Sequence, residues 1–127
     1  MRYKNEYRIP IPITGYKSGV YCFHCLENDR YYIGSSHLLR ERLQDHNNCC
    51  KRGEHNNSSI QADYNSGLHF ETFILFDDVK HKLDNRQLKI IEYSCIKYFF
   101  EHGYNLYNFN VCTGSEKAKQ LLINNVC

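Results

Sequence analysis

The sequence lacks the features that mark membrane and secreted proteins. It contains no apolar run of about 18 residues, and its first residues, Met1 to Glu6, are mostly polar. It also lacks an internal repeat, a linker or a shift in composition that would divide it. The 127 residues, of which 42% are hydrophobic, suffice for the core of one domain. We therefore expect a single domain spanning residues 1–127, cytoplasmic and without a membrane partner.

The sequence has no strong excess of either charge. Sixteen Lys and Arg residues face 14 Asp and Glu residues, giving a formal charge of +2. This composition permits contact with a polyanion such as nucleic acid, but it does not indicate it.

The number of cysteines is odd, because the chain contains seven. The odd count argues against complete disulfide pairing. Cys22 and Cys25 have the two-residue gap of a zinc knuckle, but in an alternating strand their odd separation places them on opposite faces. We expect reduced thiols. A small zinc protein built on Cys22, Cys25, Cys49 and Cys50 is the alternative.

The first half of the chain predicts an arm, a hairpin and a helix. Pro10 and Pro12 exclude a helix, so residues 1–18 form an extended arm or an edge strand. The β-branched and aromatic runs of residues 19–26 and 31–34 flank a polar turn, which predicts a β-hairpin. Ser36 is expected to cap a helix over residues 37–47, on which Arg42 and His46 border the apolar stripe.

The second half predicts a loop, two helices and a strand. After the loop of residues 48–57, Ser58 or Ser59 starts a short helix, and residues 70–76 form a strand that their apolar content predicts to be central. A long helix is expected over residues 83–102, ended by Gly103, with residues 111–127 as a short helical tail. The apolar stripe of the long helix comprises Leu88, Ile91, Cys95, Tyr98 and Phe99.

Glu92 lies at the edge of that stripe. An ionised carboxylate in such a place needs a cation or a basic partner, because burying it alone costs several kcal/mol. A divalent ion such as Mg²⁺ can be held by one carboxylate together with water and substrate oxygens. An ion pair with Arg86 or Lys89 is the alternative.

Several residues could serve phosphodiester cleavage. Arg42 is a permanent cation suited to phosphate oxygens, and His46 and His55 can carry protons near neutral pH. Each also has a structural interpretation. Tyr21 and Tyr32 could be packing residues, and Arg42 could pair with Asp45 or Glu41.

The order and spacing of these residues resemble the GIY-YIG nuclease family. The first triplet is Gly19-Val20-Tyr21, with Val in place of the usual Ile, and the second is Tyr32-Ile33-Gly34. The other family positions are matched by Arg42, His46, His55, Glu92 and Asn105. The loop after Gly53 looks most like the catalytic domains of phage and intron homing endonucleases.

This resemblance implies an α/β (α+β) fold, a small central three-stranded antiparallel sheet flanked by helices. It implies a DNA endonuclease of homing or mobile-element type that uses Mg²⁺ or Mn²⁺ held by Glu92 and leaves a 5′ phosphate and a 3′ hydroxyl. Tyr21 would activate or position the attacking water, assisted by His46. Arg42 would stabilise phosphate charge, and Tyr32 would bind phosphate or water. The remaining family residues are a secondary proton carrier, His55, and a brace for the site, Asn105.

Contacts to DNA are expected from basic side chains outside this set, namely Lys17, Arg40, Lys51 and Arg52. Cutting both strands would require a homodimer, or reorientation on the DNA, and selection of a target could require a separate DNA-targeting partner. Two alternatives stay open at this stage. One is a nucleic-acid-binding or inhibitory module without turnover, and the other is a restriction- or repair-type nuclease subunit.

Overall fold

The computed structural model describes residues 8–11, 18–78, 80 and 82–109. The elements of this part of the chain follow one another as β1 (Gly19–Cys25), β2 (Arg30–Ser36), α1 (Leu39–Lys51), α2 (Ser58–Asn65), β3 (Phe70–Asp77), α3 (Asn85–Glu101), β4 (Asn105–Leu106) and a 3₁₀ turn (Tyr107–Phe109). The predicted arm is described only at residues 8–11 and 18, where Ile9 and Ile11 are buried. The predicted tail, residues 111–127, and Lys17 lie outside the described residues.

The strands form one mixed sheet in the order β3-β1-β2-β4. β1 pairs antiparallel with both β2 and β3, which confirms the predicted hairpin and the α/β fold with three antiparallel strands. The sequence did not predict β4, which adds two residues in parallel beside β2.

The expectation that β3 is central was wrong. β3 lies at an edge of the described sheet, and the strands with neighbours on both sides are β1 and β2. Two apolar side chains of β3, Phe73 and Leu75, are exposed. Phe73 pairs with Cys22 and points to the face on which α3 packs, but α3 covers mainly β2 and β1. The apolar content of β3 therefore reflects a strand that is only partly covered.

The two faces of the sheet support separate hydrophobic clusters. Tyr21, Phe23 and Cys25 pack with Leu43 of α1 and Ile60 of α2. On the other face, Val20 and Cys22 of β1 and Ile33 of β2 pack under α3 with Ile96 and Leu106.

Cys22 and Cys25 thus lie on opposite faces, as their spacing predicted. The described cysteines are all free thiols: Cys22, Cys25, Cys49, Cys50 and Cys95.

Both ends of α1 lie later in the chain than expected, whereas α2 begins where it was expected. α1 begins at Leu39, later than expected, because Ser36 Oγ accepts from the Leu38 N–H in a turn before the helix and caps no helical residue. α1 also continues to Lys51, which shortens the loop to residues 52–57. α2 begins at Ser58 as expected, and the Asn57 side chain caps it by accepting from the N–H groups of Ser59 and Ile60.

The long helix α3 is capped at its start by Asp84, whose carboxylate accepts from Gln87 N–H while the Gln87 side chain accepts from Asp84 N–H. It ends before Gly103, which has the positive φ of 83° expected of a residue that ends a helix. Its buried residues are Leu88, Glu92 and Ile96, whereas Tyr98 is 56% exposed. Ile91, Cys95 and Phe99 of the predicted stripe are partly buried against the cluster under α3, but the most buried line is rotated toward Glu92, which lies on it.

Candidate active site

Both glycines of the two triplets occupy positions without room for a side chain. Gly34 pairs with Tyr21 across β1 and β2, and a Cβ atom at Gly34 would lie 2.4 Å from the Tyr21 hydroxyl oxygen. A Cβ atom at Gly19 would lie 2.1 Å from the carbonyl oxygen of Phe76 in β3. The second triplet thus needs glycine because the tyrosine of the first lies across it.

A chain of hydrogen bonds begins at that tyrosine. The Tyr21 hydroxyl lies 2.6 Å from Nε2 of His46, and Nδ1 of His46 lies 2.8 Å from Nε2 of His55. Tyr21 and His46 are almost completely buried. The Tyr32 ring packs against both, with its centroid 5.3 Å from that of His46. α1, the loop before α2 and the hairpin therefore bring four of the predicted site residues together.

Burial shifts the pKa values of this cluster. It raises the pKa of Tyr21 well above its usual value and also raises the pKa of Tyr32. It lowers the pKa of His46 well below its usual value and also lowers the pKa of His55. At neutral pH the tyrosines are therefore hydroxyls, and the imidazoles are neutral.

Arg42 lies close enough to act on all four rings. Its positive charge opposes the rise in pKa of Tyr21 and Tyr32, and it adds to the lowering of the pKa of His46 and His55. Its side chain is 43% exposed, and the nearest carboxylate oxygen, on Asp45, is 4.0 Å away. The predicted pairing with Asp45 is thus present but long, and an exposed pair of this kind binds weakly.

A pocket of about 240 Å³ opens beside the cluster. Its lining comprises Tyr32, Arg42, Asp45, His46, Cys49, His55, Asn56 and Asn57. Two neutral imidazoles, a phenol and a guanidinium can together orient an oxyanion and a water molecule.

Glu92 lies on α3 and is nearly buried. Its Oε1 accepts from the Ser35 hydroxyl at 2.6 Å and from Lys89 Nζ at 3.1 Å. The ion pair with Lys89, left open by the sequence, is therefore present. The charge of Glu92 helps to raise the pKa of Tyr32 and Tyr21, so the carboxylate is within electrostatic reach of the hairpin tyrosines.

The surroundings of Glu92 fit a divalent cation held by one carboxylate. Both of its hydrogen bonds use Oε1, and Oε2 accepts none from any described residue. Within the described ranges, no group of three or more His, Cys, Asp and Glu side chains is arranged to hold a metal ion. A metal at Glu92 would therefore take most of its ligands from water and substrate, as Mg²⁺ does.

The structure places Asn105 away from this cluster. It is exposed and pairs with Arg30, at the opposite end of β2 from Ser35. The amide near the second triplet belongs to Asn108, which accepts from the Ile33 N–H at 2.9 Å and donates to the Ile33 carbonyl at 2.7 Å. Bracing by Asn105 stays a prediction.

No role was predicted for Asn108, Ser35 or Asn57. Their only signal was closeness to a motif residue, since Ser35 directly follows the second triplet, Asn57 is two residues after His55 and Asn108 is three after Asn105.

The basic residues predicted to contact DNA lie on α1 and directly after it. Arg40, Lys51 and Arg52 are exposed, and Arg52 Nε lies 3.0 Å from Glu54 Oε1. Lys17 lies outside the described residues. DNA contact by these side chains stays a prediction.

A family model and a solved structure both match this chain. The family model described as the GIY-YIG catalytic domain matches residues 17–105, more than half of the chain. The solved structure of the catalytic domain of the homing endonuclease I-TevI is similar, with a TM-score of 0.59 and 26% sequence identity. The match covers 70% of this chain and 97% of that one. No curated protein matches. None of the described helices is long and apolar enough to cross a bilayer.

Proposed function

The chain belongs to the GIY-YIG family of nuclease catalytic domains, and on that premise we propose that it is a divalent-metal-dependent endonuclease that hydrolyses DNA. The observation that supports this most strongly is the hydrogen-bonded series of Tyr21, His46 and His55 beside the Arg42 guanidinium, in which Tyr21 and His46 are buried and His55 is half-buried. Packing alone does not require two imidazoles and a phenol in one hydrogen-bonded row.

Each residue of the site has its own role in hydrolysis. Tyr21 orients the attacking water, and His46 holds the Tyr21 hydroxyl in place. Arg42 stabilises the charge that develops on the phosphate, and Tyr32 binds a phosphate oxygen or the water.

Two further site residues complete the proposal. His55 is a secondary proton carrier behind His46. Mg²⁺ or Mn²⁺ bound to Glu92 would neutralise charge on the scissile phosphate and on the departing 3′ oxygen. The products would carry a 5′ phosphate and a 3′ hydroxyl.

The similarity to the I-TevI catalytic domain supports a homing or mobile-element role. We propose that Lys17, Arg40, Lys51 and Arg52 contact the DNA backbone. One site of this size cuts one strand in each engagement, so double-strand cleavage would need a homodimer, a partner or a second engagement.

One observation favours a second candidate, a nucleic-acid-binding or inhibitory module without turnover. Lys89 already neutralises Glu92 through an ion pair at 3.1 Å, so this carboxylate does not need a metal for compensation. The Lys89 side chain is half exposed, however, and can leave the carboxylate at little cost. A module that only binds DNA also has no use for a carboxylate near a phosphate, which would repel it.

Cleavage of supercoiled plasmid tests both candidates. We expect the protein to nick or linearise the plasmid with Mg²⁺ and to leave it intact with EDTA. Glu92→Ala and Arg42→Ala should abolish cleavage while the fold survives, as measured by circular dichroism. Glu101→Ala removes an exposed carboxylate from the same helix as Glu92 and should cut like the wild type. Equal cutting by Glu92→Ala would refute the metal assignment, and binding without cutting would support the second candidate.

A further inference from the structure

Asn57 lies directly behind the histidine pair and is held from three sides. Its side-chain Oδ1 accepts from the N–H groups of Ser59 and Ile60, and its Nδ2 donates to the carbonyl of Tyr107 at 2.7 Å. Its backbone N–H donates to Nδ1 of His55 at 3.0 Å. Asn57 is 2% exposed. The direction of this backbone N–H is therefore fixed by the fold and not by the histidine.

The ring of His55 is also held through its own backbone. The His55 N–H donates to Oε1 of Gln61 at 3.0 Å, and Nε2 of Gln61 donates to the Cys50 carbonyl at 2.9 Å. Gln61 thus ties the loop to the end of α1. Both partners of His55, His46 on α1 and Asn57 before α2, keep their positions relative to its ring.

A backbone N–H can only donate, and this fixes the proton on His55. Because Nδ1 of His55 accepts from Asn57, the neutral ring must carry its proton on Nε2. That Nε2–H lies 2.8 Å from Nδ1 of His46, which must then accept. Neutral His46 consequently carries its own proton on Nε2, 2.6 Å from the Tyr21 hydroxyl oxygen.

We propose that the backbone N–H of Asn57 sets the tautomers of His55 and His46 and thereby makes His46 a hydrogen-bond donor to Tyr21. The role of Tyr21 in catalysis rests on the proposed function, but the tautomers do not. Asn57 is a positioning residue, since it acts through two histidines.

The donation of a hydrogen bond from His46 to Tyr21 restricts the role of the Tyr21 hydroxyl. With Nε2 of His46 already protonated, His46 does not accept the proton of the Tyr21 hydroxyl. That proton must point elsewhere, so Tyr21 faces the attacking water or a phosphate oxygen as a donor. If Tyr21 passes its proton to the phosphate oxygen that it faces, the same His46 N–H stabilises the resulting phenolate.

The opposite tautomers, with the protons on Nδ1 of both rings, would place two hydrogen-bond donors against each other. A proton on Nδ1 of His46 would require Nε2 of His55 to accept, and neutral His55 would then carry its proton on Nδ1, facing the Asn57 N–H. A second proton on His55 would meet the same obstacle, so on this inference His55 is a fixed hydrogen-bond donor to His46 and not a proton carrier. The lowered pKa of His55 and the strongly lowered pKa of His46, for which burial is the main cause, agree with a pair that stays neutral.

Long-range ¹H–¹⁵N NMR of the ¹⁵N-histidine-labelled protein reads the tautomers directly. At neutral pH we expect both rings in the Nε2–H form by at least about tenfold, because leaving a buried donor without an acceptor costs more than that ratio requires. His55→Gln and His46→Gln assign the signals. An Nδ1–H form on either ring of the wild type overturns the proposal.

Two substitutions at one position isolate the backbone N–H. Asn57→Ala and Asn57→Pro both lose the cap of α2 and the bond to Tyr107, but only proline also loses the N–H. We expect Asn57→Ala to keep both Nε2–H tautomers and Asn57→Pro to give a mixture. Equal tautomer populations in the two variants would overturn the role of Asn57. If neither variant folds, the wild-type spectrum decides alone.

Plasmid cleavage by the same samples separates the two proposals. A protein that cuts DNA with Nδ1–H on either histidine overturns the inference and leaves the function intact. A protein with both Nε2–H tautomers that cuts no DNA under any metal condition overturns the function and supports the tautomer assignment.

Discussion

Two histidines near opposite ends of the β1–β2 hairpin have the same number of partners but very different surroundings. His46 has Tyr21 at 2.6 Å and His55 at 2.8 Å, and it is buried. His24 has Asp29 at 2.6 Å and Glu71 at 2.8 Å, and its ring stacks on Tyr31 with centroids 4.2 Å apart. One ring lies among neutral groups and the other between two carboxylates.

The difference shows that partners, and not residue type, decide what a histidine can do. Carboxylates accept hydrogen bonds, so a nitrogen of His24 that carries a proton donates to Asp29 or Glu71. His24 thus ties the hairpin turn to β3. His46 lies between a hydroxyl and an imidazole, each of which can donate or accept, and a third residue has to fix the direction.

Replacing His46 and His24 in turn should give the largest difference in cleavage rate between the two ends of the hairpin. We expect His46→Ala to lower the initial rate of plasmid nicking by about 100-fold or more, and His24→Ala to leave it within about threefold. Rates are normalised to the folded fraction measured by circular dichroism. Equal losses in both variants would mean that the Tyr21 end has no special part in cleavage.

Adding one methyl group at the Tyr21 end tests the packing that keeps the site in place. Gly34→Ala puts a Cβ atom 2.4 Å from the buried Tyr21 hydroxyl oxygen, so the tyrosine must move away from His46. We expect a loss of about 1–3 kcal/mol in the free energy of unfolding, measured in urea, together with loss of cleavage. At Gly53, where nothing lies within 4 Å and only the positive φ opposes alanine, cleavage should persist.

Acid should destabilise the His46 end. The pKa values of His46 and His55 are lowered in the folded state, so as pH falls below about 6.5 the unfolded chain takes up protons first. Their contribution to stability is constant above that pH and declines below it, by at most about 1.4 kcal/mol per pH unit for each ring. Urea unfolding from pH 7 to pH 5 measures it. The double variant His46→Gln/His55→Gln should have a shallower slope, and an unchanged slope contradicts the assignment.

The smallest effect is expected at the His24 end. Asp29→Asn removes one charge from a side chain that is 78% exposed, and asparagine tolerates the positive φ of 58° at this position. We expect the free energy of unfolding to fall by less than about 1 kcal/mol and the nicking rate to stay unchanged. A large loss of activity would show that the two ends of the hairpin are coupled.

Residue order alone predicted much of the fold. The hairpin of β1 and β2 followed from its β-branched and aromatic runs around a polar turn, and the start of α2 followed from Ser58 or Ser59 after a polar loop. The position of β3 did not follow, because an apolar strand looks the same whether one or two strands flank it. The rotation of α3 was missed because Glu92 was treated as polar and placed at the edge of the buried line, on which it lies.

The candidate site was predicted as a set of residues but not as an arrangement. Tyr21, His46 and His55 were named for their type and spacing, yet their order along one row of hydrogen bonds depends on how α1 crosses the hairpin. The Asn57 backbone N–H contacts His55, and the Asn108 amide bonds both backbone groups of Ile33, and neither contact has a sequence signature.

Periodicity and turn chemistry act between residues close in the chain, so the amino-acid order specifies which chemical groups are available and roughly which elements hold them. The packing of those elements specifies the rest: which ring nitrogens meet, which oxygen of Glu92 accepts no hydrogen bond from the described residues, and which glycine has a tyrosine across it. These depend on contacts between residues 9 to 57 positions apart, and a shift of one ångström in such a contact makes or breaks a hydrogen bond.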